Sequence, residues 1–483
     1  MHFQMINSVL VESRYRNGTS VFSCSGSMVN NCYVIVTYKA VANFFGNSDL
    51  DKLDSKRAGQ LLQDSINVLR DILIYTHVKN EKTNSITKYA TYFERCFQSH
   101  HIKESAKRVF RYWSFDSVDN HFDLMSLFII LKIAGSQSRL EAEIESWLTE
   151  MPKTTLYKGQ NLKCLSSAFG NKDFMGHFSQ GVVSNILGRD NCLIFSDMPL
   201  TPGSEGSPVF SELSSHVAIG IVISTLNWWK GEWLNFTVIA DFRSLFLENL
   251  SQYPFRLINE DLPDPKSLIL SAVESSVFQI YNGTIWGTAI LINKEEGILI
   301  TNAHVVETAP KLQLCSNNGR IVFCDVIFSN SVDHPIDIAV LKAEQPLEEF
   351  SRSISFSRKE IACGDPVYAV GFPIFPKEIN PGATITKGHV SHMHPYMIKT
   401  TCSIHPGASG GAVLDDSGYL VAIIVCNAKT LDPINMTYPR LNMSIPAKLL
   451  EPILDGYFKS KDVKMLEKLS EINAPIWNFS SKL

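Results

Sequence analysis

The chain of 483 residues lacks any apolar run near the ~18 residues that span a membrane. Its start, MHFQMINSVLVESRYRNG, has no long apolar core of a secretory signal. Sequons such as Asn17-Gly18-Thr19 are therefore expected to carry no glycan, and the ten cysteines to stay reduced. No Cys-x2-Cys pair or comparable metal-ligand spacing is present, and Cys24, Cys315, Cys324, Cys402 and Cys426 lie in or beside apolar runs, as core thiols do. Net charge is only −4, which argues against broad attraction to nucleic acid or anionic membranes. The length points to two or three domains.

Against these absences stands one strong local pattern, Thr401–Val413, TCSIHPGASGGAV. It sets Ser409 among small residues, where the chain can turn tightly and a ligand backbone can come close. The N–H groups of Gly407 and Ser409 are the natural pair to hold an oxyanion. A base and an orienting acid are needed upstream. GILITNAHVVET offers His304 after a short apolar strand, Ile298 to Thr301, and DHPIDIAVLK offers Asp337 at the head of another, Ile338 to Lys342. The order His, Asp, Ser is that of the chymotrypsin-type barrels. A neutral imidazole can take the serine proton, and a buried carboxylate fixes its tautomer.

TNAHVV, DIAVLK and GASGGAV resemble the signature blocks of trypsin-like serine proteases, most closely the HtrA/Deg branch, over roughly Ser275 to Pro446. The resemblance implies an all-β, chymotrypsin/trypsin-like double β-barrel, and an acyl-enzyme mechanism using His304, Asp337 and Ser409 without metal or organic cofactor. Short Val-, Ile- and Phe-rich runs such as VFQIY, WGTAILIN and VYAVGF agree with it. The chain ends Ser481-Lys482-Leu483, the import address read by a peroxisomal receptor. With that terminus it resembles the peroxisomal leader peptide-processing proteases. These are implied to act in the matrix, removing targeting leaders from imported enzymes or processing such enzymes internally.

The first half reads as a degenerate repeat of the second. GSEGSPV aligns with GASGGAV, putting Glu205 at the nucleophile position; DNHFDLMSLFIILK places Asp123 opposite Asp337; CYVIVTYKAV places Ala40 opposite His304. The expected domains are an inactive trypsin-like half at 1–255, a linker at 256–270, an active protease domain at 271–480 and the address at 481–483. The Asp51–His101 region, with KLDSKRAGQLLQDSINVLRDIL, has helical spacing and reads as the main insertion of the first half. The segment AKLLEPILDGYFKSKDVKMLEKLSE reads as a closing helix, and too few residues follow Pro446 for a peptide-binding PDZ domain.

Six residues before Ser409, where trypsin-like enzymes place the pocket floor, stands Ser403, with Val425 and Asn427 as the expected wall. No carboxylate is there to pair with Lys or Arg. A small, weakly polar residue before the cut fits, and the family resemblance points to cysteine. His389, His392 and His394 lack an acidic or cysteine partner, and a barrel strand is the expected reading over a metal site. Whether copies of the chain associate is left open.

Overall fold

The computed structural model describes residues 6–42, 72–111, 124–151, 156–250, 270 and 273–475, apart from 17, 19–20, 81, 213, 230–231, 284, 308–310, 348–351, 376–378, 380–381 and 430–436. The described residues divide into two compact units. The first comprises residues 1–156, 160–227 and 235–262; the second comprises 263–483 together with Tyr157–Gly159 and Trp228–Leu234.

Strands dominate because Val, Ile, Leu and Phe recur in short runs cut by turn residues. In the first unit they are β1 (Ile6–Tyr15), β2 (Val21–Val29), β3 (Tyr33–Thr37), β4 (Ile72–Lys79), β5 (Ile86–Gln98), β6 (Leu127–Ile133), β7 (Asn161–Ser167), β8 (Met175–Leu187), β9 (Leu193–Ser196), β10 (Pro208–Ser211), β11 (Ser214–Trp229) and β12 (Glu232–Asp241), the adjoining ends of the last two, Trp228–Leu234, counting with the second unit. In the second they are β13 (Val277–Asn282), β14 (Ile285–Asn293), β15 (Ile298–Thr301), β16 (Lys311–Cys315), β17 (Ile321–Ser329), β18 (Ala339–Ala343), β19 (Pro366–Gly371), β20 (Thr384–His394), β21 (Met397–Thr400), β22 (Ala412–Leu414), β23 (Leu420–Lys429) and β24 (Thr437–Pro446).

These strands close into four barrels with one connectivity: β1-β2-β3-β6-β5-β4, then β7-β8-β9-β12-β11-β10, and the same order again in β13–β18 and β19–β24. Each unit is thus an antiparallel double barrel, and the fold is all-β and duplicated. Turn chemistry supports the register. Asn30 and Asn31 both take positive φ in the tight turn between β2 and β3, where Cys32 N–H returns to the Val29 carbonyl at 2.9 Å.

Side chains alternate inside and out along each strand. Val9 and Val11, Val34 and Val36, and Ile129 and Leu131 fill the first barrel. Phe278 and Ile280, Ala289 and Leu291, and Ala339 and Leu341 fill the third. Their neighbours Val277, Ile290, Ile300 and Val340 pack in a second layer with Val370, Ile385, Ile423 and Ile445 of the fourth barrel. A strand buried on both faces needs an unbroken apolar run, which is why GILIT and AVLKA show no alternation. The helix Ala447–Ser460 lays Leu450, Leu454 and Tyr457 on the same layer, one face at i, i+4 and i+7. A fully buried leucine there contributes about 1.5–3 kcal/mol.

One expectation fails. Ile72–Lys79 and Ile86–Gln98 are strands β4 and β5, so the Asp51–His101 region is not a helical insertion through its second part. Barrel closure demands two strands there, a long-range requirement that local spacing does not report; the helically spaced run ends at Leu73, and all but its last two residues lie outside the described residues. The run ahead of Ile72, residues 256–269 of the expected linker and the terminal Ser481-Lys482-Leu483 lie outside the described residues; Leu270, the last residue of that linker, packs in the core of the second unit.

Candidate active site

Ser409 sits in the loop between β21 and β22, and the loop's shape follows from its glycines. Gly407 (φ +96) and Gly410 (φ +82) occupy left-handed backbone that L-residues avoid. A Cβ on Gly407 would overlap the Trp286 indole nitrogen, and one on Gly410 the Thr288 carbonyl. The loop is pinned from β14: Thr288 Oγ1 donates to the Gly407 carbonyl and Thr288 N–H to the Ser409 carbonyl, each at 2.8 Å. It is pinned from β23 by Gly410 N–H to the Ile424 carbonyl at 2.9 Å. The N–H groups of Gly407 and Ser409 bond to no described residue, which leaves two adjacent donors for one incoming oxygen.

His304 lies on the short helix Ala303–Val306 that follows β15, and Asp337 precedes β18. β15 pairs with β18, Thr301 opposite Ala339, so the two side chains meet at the strand ends. Asp337 is 1% exposed. Its Oδ2 accepts from His304 Nδ1 at 2.6 Å and its Oδ1 from the His304 backbone N–H at 3.1 Å. Asn302 Nδ2 holds the Asp337 carbonyl at 2.8 Å. The carboxylate therefore places the imidazole proton on Nδ1 and leaves Nε2 as acceptor. Nε2 is buried and has no hydrogen-bond partner among the described residues. Ser409 Oγ instead donates to the Val425 carbonyl at 3.1 Å, so the acid–base pair is assembled while the hydroxyl points along β23. A single side-chain torsion separates that bond from one to an acceptor elsewhere.

The segment Ser403–Pro406 runs into this loop opposite β23. Ser403 is buried; its Oγ lies 3.1 Å from His405 Nε2 and 3.4 Å from the Leu234 carbonyl, to which it donates. His405 went unnoticed in the sequence, although the adjacent Pro406 and Gly407 marked it as part of the turn. It is 0% exposed, and burial pushes its pKa down to about 3, with Arg440 adding to the effect and a hydrogen bond to the Leu234 backbone opposing it. The ring is neutral at physiological pH. Asn427 Nδ2 crosses from β23 to the Ile404 carbonyl at 2.8 Å, and Val425 is half-buried beside it. Ser403, Val425 and Asn427 are thus brought around one stretch of the nucleophile loop. His389 and His392 are exposed on β20, and His394 Nδ1 accepts from the Tyr396 N–H at 3.3 Å.

The equivalent loop of the first unit repeats most of this backbone bonding; one bond differs, as Ser25 N–H donates to the Gly203 carbonyl at 2.9 Å where Thr288 N–H donates to that of Ser409. Gly203 (φ +88) and Gly206 (φ +95) stand where Gly407 and Gly410 do. Ser25 Oγ donates to the Gly203 carbonyl at 2.9 Å, and Gly206 N–H to the Val222 carbonyl at 2.8 Å. Phe169 N–H reaches the Pro202 carbonyl at 2.8 Å as Ile374 N–H reaches that of Pro406 at 2.9 Å. Glu205 occupies the serine position, and its Oε2 accepts from Gly203 N–H at 2.8 Å. Strand register corrects the other two alignments. Ser25 matches Thr288, Ser27 pairs with Ile35, and Ile290 pairs with Ile300; this puts Lys39, not Ala40, at the histidine position. Val36 opposite Ile129 matches Thr301 opposite Ala339, so Leu127 holds the place of Asp337, while Asp123 lies outside the described residues. Both slips came from matching apolar letters across a strand whose pairing only the barrel fixes.

Residues 287–423 match the trypsin-like peptidase domain family. The match lies within the second unit, whose double-barrel fold and His, Asp, Ser order agree with it. Over most of its length the chain is similar to the human peroxisomal leader peptide-processing protease, 28% identical over 374 residues, covering 72% of this chain and 64% of that protein. The mouse protein of the same name is 28% identical over 355 residues, covering 68% and 61%. The periplasmic pH-dependent serine endoprotease DegQ of Escherichia coli (strain K12) is 31% identical over 177 residues, 35% of this chain and 34% of its own. The chain therefore spans less than two thirds of its peroxisomal relatives. Among the described residues no helix is long and apolar enough to cross a membrane.

Proposed function

We propose that this chain is a serine endopeptidase that works on protein substrates in the peroxisome, the compartment in its relatives' names. In this reading it removes N-terminal leaders from matrix enzymes or processes them internally. The observation that carries the chemistry is the 2.6 Å bond from His304 Nδ1 to Asp337 beside an unpartnered Nε2. Ser409 Oγ turns from the Val425 carbonyl to Nε2, gives up its proton and attacks the scissile carbonyl. The N–H groups of Gly407 and Ser409 receive the oxyanion. His304, held by Asp337, protonates the leaving amine, and a water then cleaves the acyl-enzyme by the reverse path. The first unit, with Lys39, Leu127 and Glu205 at the three positions, is non-catalytic. Ser481-Lys482-Leu483 serves as the address bound by the import receptor.

The test uses the full chain and Ser409→Ala. A fluorophosphonate should label the wild-type chain at Ser409 and leave the variant unlabelled. Each is then mixed with a peroxisomal matrix extract and new N-termini are mapped. Ser409-dependent cuts clustered near protein N-termini support leader processing, and scattered ones replace it by broad quality control. Absent labelling together with indistinguishable extracts would overturn the peptidase reading in favour of a peptide-binding protein.

A further inference from the structure

Asp337 lies in the connection between β17 and β18, residues 330–338. The ladder of those strands ends with Ser329 opposite Ala339, so the backbone that presents the carboxylate needs other partners. Two side chains of the same loop supply them. Asn330, 5% exposed, brackets the acid: its N–H donates to the Ile338 carbonyl at 3.1 Å and its Nδ2 to the Ile336 carbonyl at 2.7 Å. His334 holds the Ile336 N–H, which its Nδ1 accepts at 3.1 Å. Ile336 and Ile338 are buried in the core of the second unit. Both neighbours of Asp337 are thus fixed by side chain and backbone together.

The outer ends of Asn330 and His334 meet at one residue far along the chain. Ser470 Oγ donates to Asn330 Oδ1 at 2.6 Å, and the Ser470 carbonyl lies 3.1 Å from His334 Nε2. A carbonyl only accepts, so Nε2 carries the ring proton and Nδ1 is left as the acceptor that the Ile336 N–H needs. In the same way the hydroxyl on Oδ1 keeps Nδ2 turned toward Ile336, since a flipped amide would set oxygen against oxygen. Ser470 is itself anchored. Its N–H bonds to the Glu467 carbonyl at 2.9 Å, at the end of the 3₁₀ turn Val463–Leu469, whose Leu466 and Leu469 are buried in the same core.

Resting on the peptidase reading, we infer that Asn330 is a positioning residue for Asp337, and that Ser470 of the C-terminal segment holds Asn330 and His334 in the orientation this requires. The link runs from Ser470 through Asn330 to Ile336, one peptide step to Asp337, and on to His304. A misplacement of about 1 Å at a reacting group can cost on the order of 100-fold in rate. A residue outside both barrels therefore helps to set the geometry of the acid–base pair.

The experiment follows fluorophosphonate labelling of the full chain against probe concentration, which separates binding of the probe (KI) from phosphonylation of Ser409 (kinact). Asn330→Asp keeps the shape and the Oδ1 acceptor but sets a carboxylate oxygen against the Ile336 carbonyl. It should lower kinact about tenfold or more with KI unchanged. Ser470→Ala, at an exposed position, should lower kinact about three- to fivefold, and Ser470→Thr, which keeps the hydroxyl, should restore it. In both slow variants the far-downfield proton resonance of the short His304 Nδ1–H···Asp337 bond should shift or broaden, a signature that a merely structural role would not move. If the aspartate variant fails to fold, the two Ser470 variants carry the test. Unchanged kinact and resonance in the folded variants would overturn the proposal and leave the peptidase reading intact. A change confined to KI, or a loss in Ser470→Ala that Ser470→Thr does not recover, would do the same. A wild-type chain that the probe does not label would overturn both.

Discussion

Two loops of this chain, Thr201–Ser207 and His405–Gly411, share a backbone and differ in chemistry. Each has two glycines at positive φ, a hydroxyl from the neighbouring barrel bonded to the first glycine's carbonyl, and an N–H tied to the returning strand. In the second unit the first glycine's N–H bonds to no described residue, as an oxyanion site requires. In the first unit the Glu205 carboxylate fills the matching position from within. The comparison separates what the fold needs from what the reaction needs. Glycines and most of the backbone bonds are retained in both loops; the histidine, aspartate and serine stand in only one.

The sharpest way to break the comparison is to remove a hydroxyl from one loop and a carboxylate from the other. Ser409→Ala should lower kcat/KM by about 10⁴ or more, and Asp337→Asn should lower kcat by a similar factor by withdrawing the acceptor that fixes the Nδ1 tautomer. Glu205→Ser made in the Ser409→Ala background should restore no fluorophosphonate labelling, because Lys39 and Leu127 supply neither base nor orienting acid. Labelling at position 205 would show that the first unit retains a latent site.

The shared scaffold predicts a matched loss of stability. Gly203→Ala and Gly407→Ala each force a side chain into left-handed backbone and into occupied space, against Gly170 and Phe169 in one unit and Trp286 and Phe372 in the other. Each should cost about 2–4 kcal/mol in denaturant unfolding, and only Gly407→Ala should also slow labelling. A large difference between the two costs would mean that the loops share shape without sharing tension.

These residues also mark what the sequence could and could not reveal. The pairing of His304 with Asp337, the glycine loop around Ser409 and the all-β class were legible because each strand carries a short apolar run and such a turn needs its glycines wherever the loop occurs. Glu205 was legible for the same reason. Lys39 and Leu127 were misread as Ala40 and Asp123 because a shift of one or a few residues leaves an apolar pattern intact, while cross-strand pairing permits a single register. Strands β4 and β5 were hidden because what calls for them is closure of the barrel, a long-range constraint that no local apolar period reports. His405 carried no local signal of burial; Leu234, which lies 171 residues earlier, helps to define its surroundings.

His405 also predicts a difference in acid. The matching position in the first loop is Thr201, which does not titrate; Ser204 N–H bonds its carbonyl as Ala408 N–H bonds that of His405. The folded pKa of His405 is depressed to about 3, whereas the unfolded chain protonates near the ordinary value of ~6.5. Between those values the unfolded state binds more protons than the native one, so stability rises with pH there and is lost as pH falls. From pH 6.5 to pH 4.5 the second unit should lose about 2–3 kcal/mol from this group alone. Melting followed across that range should show the loss in the wild type and a flatter profile in His405→Thr. An unchanged profile would mean that the ring becomes protonated without unfolding its surroundings.

The smallest expected effect falls on the carboxylate that distinguishes the two loops. Glu205 Oε2 accepts a charge-assisted bond from Gly203 N–H, and Thr225 Oγ1 lies 3.5 Å from Oε1. Glu205→Gln keeps an oxygen able to accept from that N–H and removes the charge, so it should cost about 1 kcal/mol or less. Glu205→Ala removes the acceptor from a half-buried N–H and should cost about 1–2 kcal/mol, with faster amide exchange at Gly203 as the local signature. If the alanine variant is instead no less stable and exchange at Gly203 is unchanged, the bond contributes nothing and the glutamate is a passive replacement. If exchange accelerates in alanine but not in glutamine, the acceptor oxygen rather than the charge holds the loop, and the first unit has satisfied with its own side chain the donor that the second leaves for a substrate.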